Sequence, residues 1–118
     1  MDQKNWEEVK EWLLELKVID DEVSSPAQIR RLDLSGHALS ELPESFGVLH
    51  ELIALNLSGN QLQSLPESMV SLTKMTNLDL RRNHFSKLPK VLPSLHLRSL
   101  NLNGNMLDDV SELKELKE

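Results

Sequence analysis

Leu34, Leu57, Leu80 and Leu102 lie 23, 23 and 22 residues apart, and Leu32, Leu55, Leu78 and Leu100 repeat the same steps two residues earlier. Leu39, Leu62, Phe85 and Leu107 keep the phase, as do Asn60, Asn83 and Asn105. Leu42-Pro43, Leu65-Pro66 and Leu88-Pro89 form a further column. A period of this length means one structural unit copied along the chain. Each L-x-L step places both leucines on one side of an extended backbone and the residue between them on the other. One such unit cannot bury its own leucines. The units must therefore stack, with their short strands forming a parallel sheet over a continuous core.

The rest of each period is the return path. Proline fixes φ and biases the preceding residue towards extended backbone, so each Leu-Pro pair marks an extended stretch. Phe46 with Leu49, Met69 with Leu72, and Leu92 with Leu95 are then expected to close the core from the opposite side. An interior amide at the Asn phase both donates to and accepts from backbone groups at the turn. Gly36, Gly59 and Gly104 recur in phase, which marks a turn requirement.

The stretch from Leu52 to Pro66, LIALNLSGNQLQSLP, writes out L-x-x-L-x-L-x-x-N-x-L-x-x-L-P. It resembles the leucine-rich repeat family, and the resemblance covers roughly residues 29–118. The family implies an α/β fold, a right-handed solenoid with a curved parallel sheet on its concave side, here behind an N-terminal α-helical cap. The 23-residue unit with L-P is similar to that of intracellular members from bacteria and from eukaryotic signalling scaffolds. The resemblance implies protein recognition on the concave face, without catalysis or a cofactor. The chain then divides into a capping helix and turn at 1–28 and an array at 29–118, with repeats at 29–51, 52–74, 75–96 and 97–118.

Two departures from the pattern are visible. His37 takes the Asn phase in the first repeat, and the fourth repeat lacks the proline and shifts its late apolar residues to Val110, Leu113 and Leu116. Their spacing suggests a short closing helix capped by Asp109 or Ser111. At the other end, Trp6, Val9, Leu13 and Leu16, with Trp12 alongside, form an apolar stripe on a charged helix expected over 3–18. Asn5 followed by Glu8 resembles a capping box. The helix reads as a lid on the open core of the first repeat, with a partner-binding helix as the other reading. Ser24-Ser25-Pro26 then turns the chain into a first strand at about Gln28 to Leu34.

With the leucines turned inward, the exposed columns fall by phase: Arg30, Ile53, Thr76 and Arg98; Arg31, Ala54, Asn77 and Ser99; Asp33, Asn56, Asp79 and Asn101. Arg81 and Arg82 follow among small neighbours. The expected partner-binding residues are Arg31, Asp33, Asn56, Asp79, Arg81, Arg82, Arg98 and Asn101, with arginine suited to bidentate contact with carboxylates or phosphates. The same charges would also serve simply to keep an exposed sheet soluble. Four strands about 4.8 Å apart and about 17 Å long offer a face on the order of 300 Å². A stable interface takes about 800 Å² per partner, so recognition through this face alone is weak or composite.

Other chemistries find little footing. There is no cysteine, which removes disulfides, thiolate metal sites and a thiol nucleophile. His37, His50, His84 and His96 show no metal-ligand spacing, and Ser35-Gly36-His37 is a turn rather than a triad. Charged residues throughout the first twenty positions leave no signal peptide or membrane span. Lacking the Cys-rich caps common in extracellular relatives, the chain reads as cytoplasmic.

Net charge is −6, divided as −5 over residues 1–28, +2 over 29–107 and −3 over 108–118. Lys74, Arg81, Arg82, Lys87, Lys90 and Arg98 against Asp79 would be the footing for nucleic-acid binding, but the acidic total and the absence of Tyr weigh against it. The closer rival to a protein partner is a homodimer. It would form through the edge strand at about Arg98 to Leu102, unless residues 108–118 cover that edge.

Overall fold

The computed structural model describes residues 2–107. Four L-x-L steps become four strands: β1 (Arg31–Asp33), β2 (Ala54–Asn56), β3 (Asn77–Asp79) and β4 (Ser99–Asn101). They pair in parallel and in chain order. Arg31, Ala54, Asn77 and Ser99 stand in one row, the leucines 32, 55, 78 and 100 in the next, and Asp33, Asn56, Asp79 and Asn101 in the third. A constant step of 23 residues, shortened to 22 before β4, produces this register, because any slip would turn the leucines out of the core. The architecture is an α/β solenoid with one α-helix at its N-terminus.

The strands are shorter than the expected Gln28–Leu34 and Arg98–Leu102 segments. At the front, Pro26–Gln28 forms a 3-10 turn instead of strand. The Ser25 hydroxyl accepts from the Ala27 amide at 3.1 Å, and the Gln28 side-chain oxygen accepts from the Ser24 and Ser25 amides at 2.7 and 2.9 Å. The capping box therefore sits here, not at Asn5 and Glu8. At the back, side chains of the third row pull the chain into turns.

Three 3-10 turns carry the return path, at Glu44–Val48, Glu67–Ser71 and Leu92–Ser94. Pro43 and Pro66 introduce the first two with ψ near 148° and 147°. Phe46, Leu49, Met69 and Leu72 are fully buried behind the sheet, with Leu92 and Leu95 completing the row. Gly47 permits the first two turns to touch. Its amide donates to the Ser68 hydroxyl at 2.9 Å, and a Cβ at that position would lie 2.0 Å from the Ser68 carbonyl oxygen.

Coil is tied to coil by the asparagine column. The Asn60 side-chain oxygen accepts from the His37 and Leu39 amides at 3.0 and 2.9 Å, while its Nδ2 donates to the Leu34 and Leu57 carbonyls, both at 2.9 Å. Asn83 accepts from the Leu62 amide at 3.0 Å and donates to the Leu57 and Leu80 carbonyls at 2.8 and 3.2 Å. Asn105 repeats the pattern with Phe85, Leu80 and Leu102. Asn60 and Asn83 are the two buried polar side chains among the described residues.

The N-terminal helix α1 runs Asp2–Glu15, so Asn5 lies inside it rather than at its start, and it ends before the expected residue 18. Trp6, Val9 and Leu13 are buried on the first coil, and Trp12 meets Phe46 edge-to-face with centroids 6.2 Å apart. The helix closes with the Val18 amide on the Leu13 carbonyl and the Lys17 amide on the Leu14 carbonyl, a Schellman pattern with Lys17 at φ 63°. The closing helix expected around Val110, Leu113 and Leu116, and the covering of the β4 edge by residues 108–118, fall outside the described residues.

Two stability changes follow. Asn83→Ala strands the buried Leu62 amide, removes one of two side-chain bonds to each of the Leu57 and Leu80 carbonyls, and lowers unfolding free energy by about 2 kcal/mol in urea titration. Lys17→Gly relieves a left-handed backbone that an L side chain disfavours, and raises it by about 1 kcal/mol.

Candidate functional site

With the leucines committed to the core, the opposite face of the sheet presents its first and third rows. Together they line a shallow open groove of about 630 Å³. Six of the eight expected site residues border it: Arg31, Asp33, Asn56, Asp79, Arg81 and Asn101. Arg82 and Arg98 do not. Ala54, Asn77 and Ser99 do, although none stood among the expected site residues. Their signal was their position: each occupies the Arg31 phase of its repeat.

The third row has a local task that its charge pattern concealed. Asp33, Asn56, Asp79 and Asn101 each accept, through the side-chain oxygen, the backbone amide two residues on, at 3.0, 2.9, 3.0 and 3.0 Å. Such Asx turns bend the chain out of the sheet and account for the three-residue strands. The Ser35 and Ser58 hydroxyls add bonds of 2.6 and 2.7 Å to the same oxygens.

Arg81 extends this arrangement into an ion pair. Its Nε donates to both Asp79 oxygens at 2.9 and 3.0 Å, and its terminal nitrogen reaches Asp79 at 2.8 Å. Burial works to raise the Asp79 pKa, but the hydrogen bonds and charge of Arg81 outweigh it and hold the carboxyl below its usual value. The same contacts raise that of Arg81. The guanidinium is thus partly committed before any partner arrives. Arg31 is exposed and has no ion-pair partner among the described residues.

Arg82 stands where the other repeats have glycine. Gly36, Gly59 and Gly104 have φ of 67°, 69° and 78°, and Arg82 adopts 57°. At this phase only the third repeat holds an L side chain in a backbone conformation that favours glycine.

Among the described residues, no group of three or more His, Asp or Glu side chains could hold a metal ion. Nor is any helix there long and apolar enough to cross a membrane.

A leucine-rich repeat family model matches residues 27–85. The solved structure of a leucine-rich repeat protein of Leptospira interrogans is similar at 31% identity with a TM-score of 0.50. The match covers 77% of this chain and 30% of that one, so this chain spans under a third of that protein's length. No curated protein matches.

The carboxylates give a defined acid response. The Asp33 carboxyl is held low by hydrogen bonds from the Ser35 hydroxyl and amide. A depressed folded pKa contributes stability above the unfolded value of about 3.9 and loses it as pH falls through the folded value. Asp33→Asn keeps the turn acceptor, as Asn56 shows. Thermal unfolding between pH 2 and pH 5 should therefore show a flatter pH dependence for this variant, with little change at neutral pH. Arg82→Gly should raise stability at neutral pH by about 0.5–1 kcal/mol in urea titration.

Proposed function

Because the chain belongs to the leucine-rich repeat family, we propose that it is a non-catalytic protein-binding module that takes its partner in the groove on the open face of the sheet. The observation that carries this reading is the groove itself. A regular sheet gathers residues from four successive repeats into one polar trough, while its apolar residues are turned into the core. Such a surface offers hydrogen bonds and charge for specificity and little apolar area for tight binding.

Strands of three residues are about 10 Å long, which makes the face smaller still than the sequence suggests. A partner reaching about 800 Å² must therefore also touch the turns beyond the strands. Three features support Arg82 for that contact. It follows Arg81 directly, is exposed, and keeps an unfavourable backbone conformation.

Charge pairing favours a protein over a nucleic acid. Lys74 is held by Glu51 at 2.9 Å and Arg81 by Asp79 at 2.8 Å, so two of the six cations between residues 74 and 98 already face a carboxylate.

Ala54→Arg/Asn77→Arg fills the groove without touching a leucine or a turn-forming side chain. Partners captured from a lysate by the wild-type chain should be lost to this variant, with its melting temperature confirming that it is folded. Equal capture by both proteins would remove the groove as the binding surface.

A further inference from the structure

The edge of the sheet at β1 carries a second surface, which shares Arg31, Leu32 and Asp33 with the groove. Backbone bonding between β1 and β2 uses alternate residues of the first coil. The Arg30 carbonyl accepts from the Ile53 and Ala54 amides at 2.7 and 3.2 Å, and the Leu34 amide donates to the Asn56 carbonyl at 2.8 Å. In a parallel pair every second residue faces a given neighbour, so Leu32 also serves β2. The backbone groups of Arg31 and Asp33 therefore point away from the sheet. One coil later, their counterparts Ala54 and Asn56 bond back to the preceding coil. Among the described residues no coil precedes the first, and none bonds to the outward backbone groups of Arg31 and Asp33.

Beside this edge lies a groove of about 440 Å³, lined on the helix side by Val18, Ile19 and Val23 and on the sheet side by Arg31, Leu32 and Asp33. The three apolar residues of segment 18–23 are only half-buried, packed against the core without being enclosed by it. An open strand edge flanked by an apolar slot is the arrangement that accepts an added strand from another chain.

We infer that an extended peptide segment of a partner protein adds to β1 as a further strand of the sheet. Residues of an added strand alternate between faces. One facing the core side meets Val18, Ile19 and Val23, and its neighbours share the face of Arg31 and Asp33. Asp33 is already engaged by the Ser35 amide and hydroxyl, and the Asp20 side chain on the far wall accepts the Glu22 amide. Arg30 and Arg31 are exposed and have no ion pair among the described residues. The fitting peptide accordingly carries an acidic residue opposite Arg31 followed by an apolar one opposite Leu32.

The test uses the full, isotope-labelled chain and capped heptapeptides centred on Glu-Val-Thr, with Lys-Val-Thr peptides as the comparison. Amide signals of Arg31 and Asp33 should shift saturably with the glutamate peptide, and binding should weaken roughly tenfold or more with the lysine peptide. Arg31→Pro removes one outward donor while sparing the β1–β2 ladder, and should abolish the response. Arg31→Glu leaves the backbone unchanged and should reverse the preference between the two peptides, which keeps the test decisive if the proline variant does not fold. Ala54→Arg/Asn77→Arg should leave the response intact, which separates this edge from the groove. Unmoved Arg31 and Asp33 amides would overturn the inference, as would shifts confined to the groove. So would a concentration-dependent dimer that shifts those amides without peptide.

Discussion

A chain that returns to the same sheet every 22 or 23 residues buries the turn at the end of each strand against the next coil. The amides and carbonyls of that turn then lie away from water, where an unpartnered group costs about 1–3 kcal/mol. Asparagine answers this because one side chain presents an acceptor and two donor hydrogens on a short stem. Asn60 shows the full use, accepting two amides of the coil before it and donating to one carbonyl of that coil and two of its own. The leucines supply most of the apolar burial. The asparagines ensure that burying the leucines does not strand the backbone.

The same requirement explains why the first coil departs from the pattern. An asparagine at position 37 would find no preceding coil among the described residues to bond to, and most of its capacity would go unused. His37 instead bonds through Nδ1 to the Ser35 carbonyl at 2.8 Å within its own turn. In the next three coils the corresponding carbonyls, those of Ser58, Arg81 and Asn103, accept the amides of Gly36, Gly59 and Arg82 from the coil before. The imidazole thus replaces a missing coil. Helix α1 does the same for the apolar part of the boundary by laying Trp6, Val9, Leu13 and Trp12 over the first coil. The edge of β1 is the part of the boundary that neither device closes.

Features that repeat were legible from residue spacing, and features that depend on one side chain's local bonding were not. Leucine and asparagine phases specified the parallel order, the register and the inward face, because each would fail together if the period slipped. The third row was readable as exposed and polar, but Asp33 and Asp79 drew attention as charges when their shared property with Asn56 and Asn101 is a short side-chain oxygen. The turns that this oxygen makes shorten every strand. The capping box at Asn5 and Glu8 was a match of residue types alone, whereas Ser25 and Gln28 meet the geometry. Lys17 and Arg82 occupy left-handed backbone that only a three-dimensional turn reveals, although the glycine column with Arg82 as its exception was visible.

These local bonds sort the open face into residues that hold the coil and residues that do not. The third row makes its turn most strongly with Asp or Asn, so it offers a partner a limited vocabulary. Among the described residues, Arg31, Ala54 and Ser99 of the first row make no side-chain bond to another coil, and Asn77 bonds only to the neighbouring Thr76 hydroxyl at 2.8 Å. Substitution there changes the groove without changing the coil. Specificity can therefore be rewritten in the first row while stability is kept by the leucines, the asparagines and the third row. This separation lets a solenoid of fixed internal chemistry present a distinct surface, and under the proposed function Arg31, Ala54, Asn77 and Ser99 form the row in which a choice of partner would be encoded.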